Sequence, residues 1–197
     1  MADLFASLPA SRAPLSGRHG VPTGPAGIAI RRLERAVATV AARPGRAATV
    51  AERLSAAFGL AVADGSRVAA DGVHAFVGVA PGRWTAIASG EAAAFTATLA
   101  AAIGDGGMVV DQSGGQVVLG LSGSALALCL AKLVAIDLDP ATTPPDLAIT
   151  TSIAHVGATL WRRGPDEVEL AVGRSFLTSM LRTLTAAAAE FGCDLDV

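Results

Sequence analysis

One order of signals occurs twice in this chain, and it constrains the fold more than anything else in the sequence. Residues 73–80 read as a strand, Pro81-Gly82 as a turn and residues 83–88 as a second strand. Gly90 then opens a helix that sets Phe95, Leu99 and Ile103 on one side at a spacing of four, and a short strand bearing Asp111 follows. Toward the C-terminus residues 152–163 read as a strand, Gly164-Pro165 as a turn and residues 167–172 as a strand. A helix over residues 174–191 comes next, with Leu177, Met180, Leu181, Leu184, Ala188 and Phe191 on one face and Gly192 as its stop. A short strand with Asp194 and Asp196 closes the unit. Strand pairs alternating with helices that cover one sheet face predict an α+β sandwich built by internal duplication of a hairpin/helix unit.

The remaining segments extend the theme. Residues 108–112 and 116–121 read as strands around a turn at Ser113-Gly114-Gly115, and Ser122 is placed to cap a helix from 123 to about 134. Residues 27–42 read as one or two short strands. Thr49-Val50-Ala51-Glu52 has the form of a capping box, in which hydroxyl and carboxylate satisfy free N–H groups at a helix start; that helix runs to Phe58 and stops at Gly59. Residues 1–27 hold Pro9, Pro14, Pro22 and Pro25 with four glycines, a composition that opposes regular structure. They are expected to form an arm, mobile alone or laid across a partner, with residues 28–197 as a single α+β domain.

Composition bounds the function. The apolar share is 52%, and although 43 of the 197 residues are alanine, enough large side chains remain to bury a core. The net charge of −2 supplies no basic field for nucleic acid. Residues 1–83 carry +5, 84–161 carry −5 and 162–197 carry −2. Such blocks would suit contact between protein surfaces, and ordinary solvated faces explain them as well. The N-terminus has no apolar run of signal-peptide length. The two most apolar stretches, 85–104 and 121–136, are interrupted by Glu91 and Lys132. A soluble, cytoplasmic protein without membrane contact is expected.

Chemistry-bearing residues are scattered. Cys129 and Cys193 form no Cys-x-x-Cys and lack further zinc ligands. No two of His19, His74 and His155 have i, i+4 spacing, and His155, among apolar neighbours, reads as a half-buried, hydrogen-bonded strand residue. No Gly-x-Ser-x-Gly elbow occurs at Ser122, and 104–107 and 113–115 read as turns, not dinucleotide loops. Asp137 and Asp139 point to opposite faces if extended, which does not suit an acid/base pair. Trp84 and Trp161 stand next to arginines at strand positions where apolar packing is the ordinary role, and an aromatic share of 4% is too sparse for a base-stacking platform. No catalytic, cofactor-binding or metal-binding residue is assigned.

An ordered set of motifs carries a resemblance. It begins with Asp111-Gln112-Ser113, Leu121-Ser122-Gly123-Ser124-Ala125, Leu130-Ala131-Lys132 and Ile136-Asp137-Leu138-Asp139-Pro140. It continues with Thr151-Ser152-Ile153-Ala154-His155, Leu160-Trp161-Arg162, Glu169-Leu170, Arg174-Ser175-Phe176 and Ala189-Glu190-Phe191-Gly192. Over about residues 105–192 this set resembles the gamma subunit family of heterotetrameric sarcosine oxidase; the likeness is looser over 46–103 and absent in the arm. One departure is Leu133-Val134-Ala135, where the family usually has Gly-Cys-Pro.

That family in turn looks like the folate-binding domain of the glycine-cleavage T-protein, whose Arg-x-x-Tyr-Thr-Gly-Glu-x-Gly segment helps to form the folate site. Here the corresponding stretch, residues 161–169, has shrunk to a hairpin turn. The resemblance implies a non-catalytic, structural or assembly subunit of a complex that oxidatively demethylates sarcosine to glycine. Its partners would be alpha, beta and delta subunits, and FAD, FMN, NAD, zinc and tetrahydrofolate would lie on those other subunits. The alternative is a stand-alone folate-binding or folate-dependent one-carbon transfer protein.

Overall fold

The computed structural model describes residues 14–21, 27–139 and 142–197; the rest of the expected arm, 1–13 and 22–26, lies outside them. Strands β1 (Gly17–His19), β2 (Ile28–Leu33) and β3 (Ala36–Ala42) lead to helix α1 (Ala47–Phe58). Strands β4 (Val68–Ala70), β5 (His74–Ala80) and β6 (Arg83–Ala88), helix α2 (Ala92–Ile103) and strand β7 (Gly107–Asp111) complete the first half. The second half runs β8 (Gln116–Ser122), α3 (Leu126–Ala131), β9 (Ala148–Ile153), β10 (Val156–Gly164), β11 (Glu167–Gly173), α4 (Leu177–Ala188) and β12 (Cys193–Asp196).

Strands β3–β7 form a five-stranded sheet in the order β4-β5-β6-β3-β7, and β1 and β2 join the strands of the second half in a seven-stranded sheet in the order β1-β12-β2-β8-β11-β10-β9. Matching β3 to β8, β4–β6 to β9–β11 and β7 to β12 gives one arrangement twice, with β2 inserted between β8 and β12. The repeat extends to detail. Each long hairpin breaks register on its first strand just before the turn, between Gly78 and Ala80 and between Arg162 and Gly164, and each turn begins with a proline, Pro81 or Pro165. The expected duplication is therefore present in the topology.

Period-two alternation decides which way each side chain points. Val40, Phe76 and Trp84 turn to one face of the first sheet and meet Leu54 of α1 and Phe95, Leu99 and Ile103 of α2. Ile28, Leu119, Leu121 and Leu170 turn to one face of the second sheet, against α3 and Met180, Leu181 and Leu184 of α4. The opposite faces pack on each other through Val37, Val77, Ile87, Val118 and Trp161. The layers are thus helix, sheet, sheet, helix. A rim contact clips the sheets together: the Val68 N–H donates to Asp146 O (2.8 Å), the Ala148 N–H to Ser66 O (3.2 Å), and Arg67 pairs with Asp146 at 2.7 Å.

Several local expectations need correction. The Thr49–Glu52 box lies inside α1, which begins at Ala47 with Arg46 as an N-cap that makes no side-chain bond. The cause is the turn at Pro44-Gly45, where the Arg46 N–H donates to Arg43 O (2.9 Å) and starts the helix early. The expected stop at Gly59 holds, with φ +68°. Ser122 ends β8 and caps nothing. Gly123 (φ +133°) is pressed so close to Gly27 that a Cβ would stand 2.1 Å from its carbonyl oxygen, and the helix forms only over Leu126–Ala131. Helix α2 is capped by Glu91, whose carboxylate accepts from the Ala93 and Ala94 N–H groups (3.0 and 2.7 Å); those bonds hold its pKa below the usual carboxylate range.

Residues 108–121 are no hairpin, because β7 pairs with β3 in one sheet and β8 with β2 and β11 in the other, so Ser113–Gly115 bridges the sheets. The helix expected over 174–191 is present, with its ends tightened into 3₁₀ turns at Arg174–Phe176 and Ala189–Phe191. Within the segment read as an arm, Gly17–His19 pairs with β12, the chain's own last strand. Strand β4 lies outside the strands read from the sequence, and the single strand expected over 152–163 is divided at Ala154-His155 between the end of β9 and β10.

Candidate functional site

The β10–β11 hairpin is where the resemblance would place ligand contacts; Arg163, Asp166 and Glu167 are exposed on it, while Trp161 and Arg162 are engaged within the fold. Trp161 is fully buried between the sheets, and its Nε1–H donates to Glu169 Oε2 at 3.0 Å. Arg163 Nε lies 3.8 Å from the other oxygen of the same carboxylate. Arg162 donates from Nε to Thr143 O (3.2 Å), from Nη1 to Pro165 O (2.6 Å) and from Nη2 to Leu138 O and to the Thr143 hydroxyl (3.2 Å). One guanidinium thus pins the loop between α3 and β9 onto the hairpin. These residues do not fit a pterin or another planar ligand, since the groups that would grip one are consumed by the fold.

The other sequence candidates stay apart. Trp84 is also fully buried and donates to Ala63 O at 2.8 Å, so both tryptophans serve packing. His155 is neither in a strand nor half-buried: it is exposed at the tip of the β9–β10 hairpin, where Ala154 and His155 take φ of 45° and 70°. A two-residue hairpin needs that left-handed backbone, and sequence alternation alone did not betray the turn because neither residue is glycine. His19 Nε2 lies 2.8 Å from Leu15 O in the N-terminal segment. His74 stacks near Phe95 and Phe58, and its Nδ1 faces Asp71 Oδ2 at 3.5 Å. The Asp71 pKa is lowered chiefly by the His74 and Val73 backbone N–H groups, which donate to Oδ1.

Cys129 and Cys193 are free and buried in the core beneath α4, where burial pushes both thiols up, Cys193 to about 11. Such burial favours the protonated thiol over the thiolate. Asp137 accepts from the Asp139 N–H at 2.9 Å and shapes its own turn. Among the described residues no group of three or more His, Cys, Asp and Glu side chains could hold a metal ion, and no helix is long and apolar enough to cross a membrane. Large apolar side chains are exposed instead at the sheet edge: Met108 and Val110 share one face of β7 at 61% and 42% exposure, and among the described residues β7 pairs only with β3. This surface was not read from the sequence; an edge strand looks like any other until its neighbours are known.

A family model described as "Sarcosine oxidase, gamma subunit family" matches residues 38–190, most of the chain. This chain belongs to that family. Among gamma-subunit relatives, the sarcosine oxidase subunit gamma of Corynebacterium sp. (strain P-1) is 38% identical over 115 residues, 58% of this chain and 56% of the relative. That of Arthrobacter sp. is 35% identical over 126 residues, 64% of this chain and 62% of the relative. The matches thus span little more than half of each relative's length.

Among solved structures, heterotetrameric sarcosine oxidase from Corynebacterium sp. U-96, in complex with pyrrole 2-carboxylate, contains a chain that matches with a TM-score of 0.75 at 31% identity. The match covers 86% of this chain and 87% of that one. Glycine cleavage system aminomethyltransferase T from Bartonella henselae matches with a TM-score of 0.60 at 17% identity, over 87% of this chain and 48% of that one, which is a likeness of fold alone. The α+β, T-protein-like fold expected for a gamma-subunit family member is the fold observed.

Proposed function

We propose that this chain is the structural gamma subunit of a heterotetrameric sarcosine oxidase, a complex that oxidatively demethylates sarcosine to glycine. The observation that carries the reading is the TM-score of 0.75 over 86% of this chain and 87% of a chain from such a complex. In this reading alpha, beta and delta subunits are the partners, FAD, FMN, NAD, zinc and tetrahydrofolate are held by them, and the assembly is cytoplasmic. The chain contributes surface and rigidity rather than chemistry. Two observations support that role: the hairpin that would grip a ligand spends Trp161, Arg162 and Glu169 on its own fold, and Met108 and Val110 lie exposed at a sheet edge, where an interface would bury them. A stable interface would bury roughly 1,200–2,000 Å² or more.

Co-expression with the neighbouring subunits, affinity purification through a tag on this chain and an absorbance spectrum test the proposal. The expected result is co-purification of larger chains with a flavin spectrum and sarcosine-dependent oxygen consumption, and a colourless, inactive preparation of the chain alone. Sarcosine oxidation by the chain alone would overturn the structural role. Calorimetry of the lone chain with tetrahydrofolate addresses the folate-dependent alternative; a tight one-to-one signal would favour it.

A further inference from the structure

The layer between the sheets changes chemistry along its strands. On the first sheet Val37 gives way to Thr39 two residues on, and Ile87 to Thr85 and then Arg83. On the second, Val118 gives way to Gln116, Ala148 to Thr150, Trp161 to Thr159 and Ala171 to Gly173. Residues two apart share a face, so the layer is apolar in its middle and polar at both ends, Arg35, Arg163 and Glu169 standing at the one and these threonines, Gln116 and Arg83 at the other. At the threonine end the sheets part around a cavity of about 360 Å³, within the range of roughly 300–1,000 Å³ usual for small-molecule sites. Thr39 pairs across strands with Thr85, and Thr150 with Thr159, so each sheet presents a threonine pair to the space. Gly157 and Gly173 also line it.

The lining has unspent bonding capacity of one kind. Thr85 is only 6% exposed, and its hydroxyl bonds to no described residue. Among the described residues only His74 Nδ1 is a fully buried polar side-chain atom without a partner, so the Thr85 hydroxyl opens into the cavity, where water or a ligand can reach it. Arg83 stands at the cavity with no ion pair or side-chain hydrogen bond among the described residues, and no aspartate or glutamate lines the space. A single planar cation with no counter-charge matches a monoanion that accepts two parallel N–H bonds. Phosphate, with about twice the charge at neutral pH, would call for more cations.

We propose that this cavity binds a small, polar-bodied organic carboxylate. Arg83 takes the carboxylate through its guanidinium, and the hydroxyls of Thr39 and Thr85 with the Gln116 amide bond the polar groups on the rest of the molecule. The site is built from this chain alone and stands whether or not the subunit assignment holds.

The test is calorimetric titration of the purified full chain with lactate and acetate, and with their neutral isosteres lactamide and acetamide. Both carboxylates are expected to bind, lactate the tighter because its hydroxyl meets the threonines, and neither amide. Arg83→Gln, at an exposed position that leaves folding intact, is expected to weaken lactate at least about tenfold. Thr85→Val is expected to weaken it by a smaller factor and to melt no lower than the parent chain. Equal binding of lactamide, unchanged affinity in Arg83→Gln, or no binding of either carboxylate overturns the proposal. Repeating the titration on the assembled complex separates a free acid from a partner's acidic side chain. If lactate binds the lone chain but not the complex, and Arg83→Gln loosens assembly, the cavity serves a partner's carboxylate and the free-acid proposal falls.

Discussion

Cys129 and Cys193 show how far single residues could be read. Their spacing excluded a zinc knuckle, and the folded chain leaves both as buried thiols. Their environment was not legible, because it depends on β12 lying under α4. That environment has a pH consequence. An unfolded cysteine ionises near about 8.5, whereas Cys193 in the fold does so only near about 11. Below the lower value both states keep the proton and stability is unaffected. Between the two values the unfolded chain releases its proton first, so stability falls as pH rises, by on the order of 2–3 kcal/mol once pH 11 is reached. Urea unfolding midpoints should therefore decline between pH 8.5 and 11, and less steeply in Cys193→Ala than in the parent. A decline of equal slope in both would assign the effect to other groups. His155 marks the limit of residue-level reading: apolar neighbours suggested a strand, and only the pairing of Ile153 with Val156 reveals the tip of a turn.

At the scale of elements, periodicity was a sound guide to faces and a poor one to boundaries. Phe95, Leu99 and Ile103 of α2, and Met180, Leu181 and Leu184 of α4, are buried as their spacing requires. Helix starts differ from the sequence reading where a local turn decided one, at Pro44, and a tertiary contact the other, where Gly123 meets Gly27. The described residues of the loop between α3 and β9 have little regular structure; Arg162 holds them at Leu138 and Thr143, and the rim contact holds them at Asp146. Removing that guanidinium in Arg162→Ala should speed amide hydrogen exchange over residues 142–147 by about tenfold or more, with a global loss of about 1–3 kcal/mol. Exchange accelerated equally across β10 and β11 would show instead that the arginine supports the whole sheet. The duplicated bulges at Gly78–Ala80 and Arg162–Gly164 had no signature beyond the prolines that follow them.

For the molecule as a whole, the inter-sheet layer is a core that both halves share: Val37, Val77 and Ile87 come from one, Val118, Trp161 and Ala171 from the other. Trp84 reports on the first helix-side core and Trp161 on the shared layer. Single-tryptophan chains made by Trp161→Phe and Trp84→Phe should each unfold with one midpoint that coincides with loss of far-ultraviolet circular dichroism. Resolved midpoints would mean that the halves unfold separately. The sequence by itself determined the repeated hairpin/helix order, the apolar faces of α2 and α4 and the lack of a metal-ligand spacing, because these rest on local period and residue type. Only the tertiary structure decided that Ser113–Gly115 bridges two sheets, that β7 is an exposed edge, and that threonines from four strands and Arg83 meet around one cavity. Those facts depend on which strands become neighbours. Alternation tells a residue which face it lies on, but not what lies across from it.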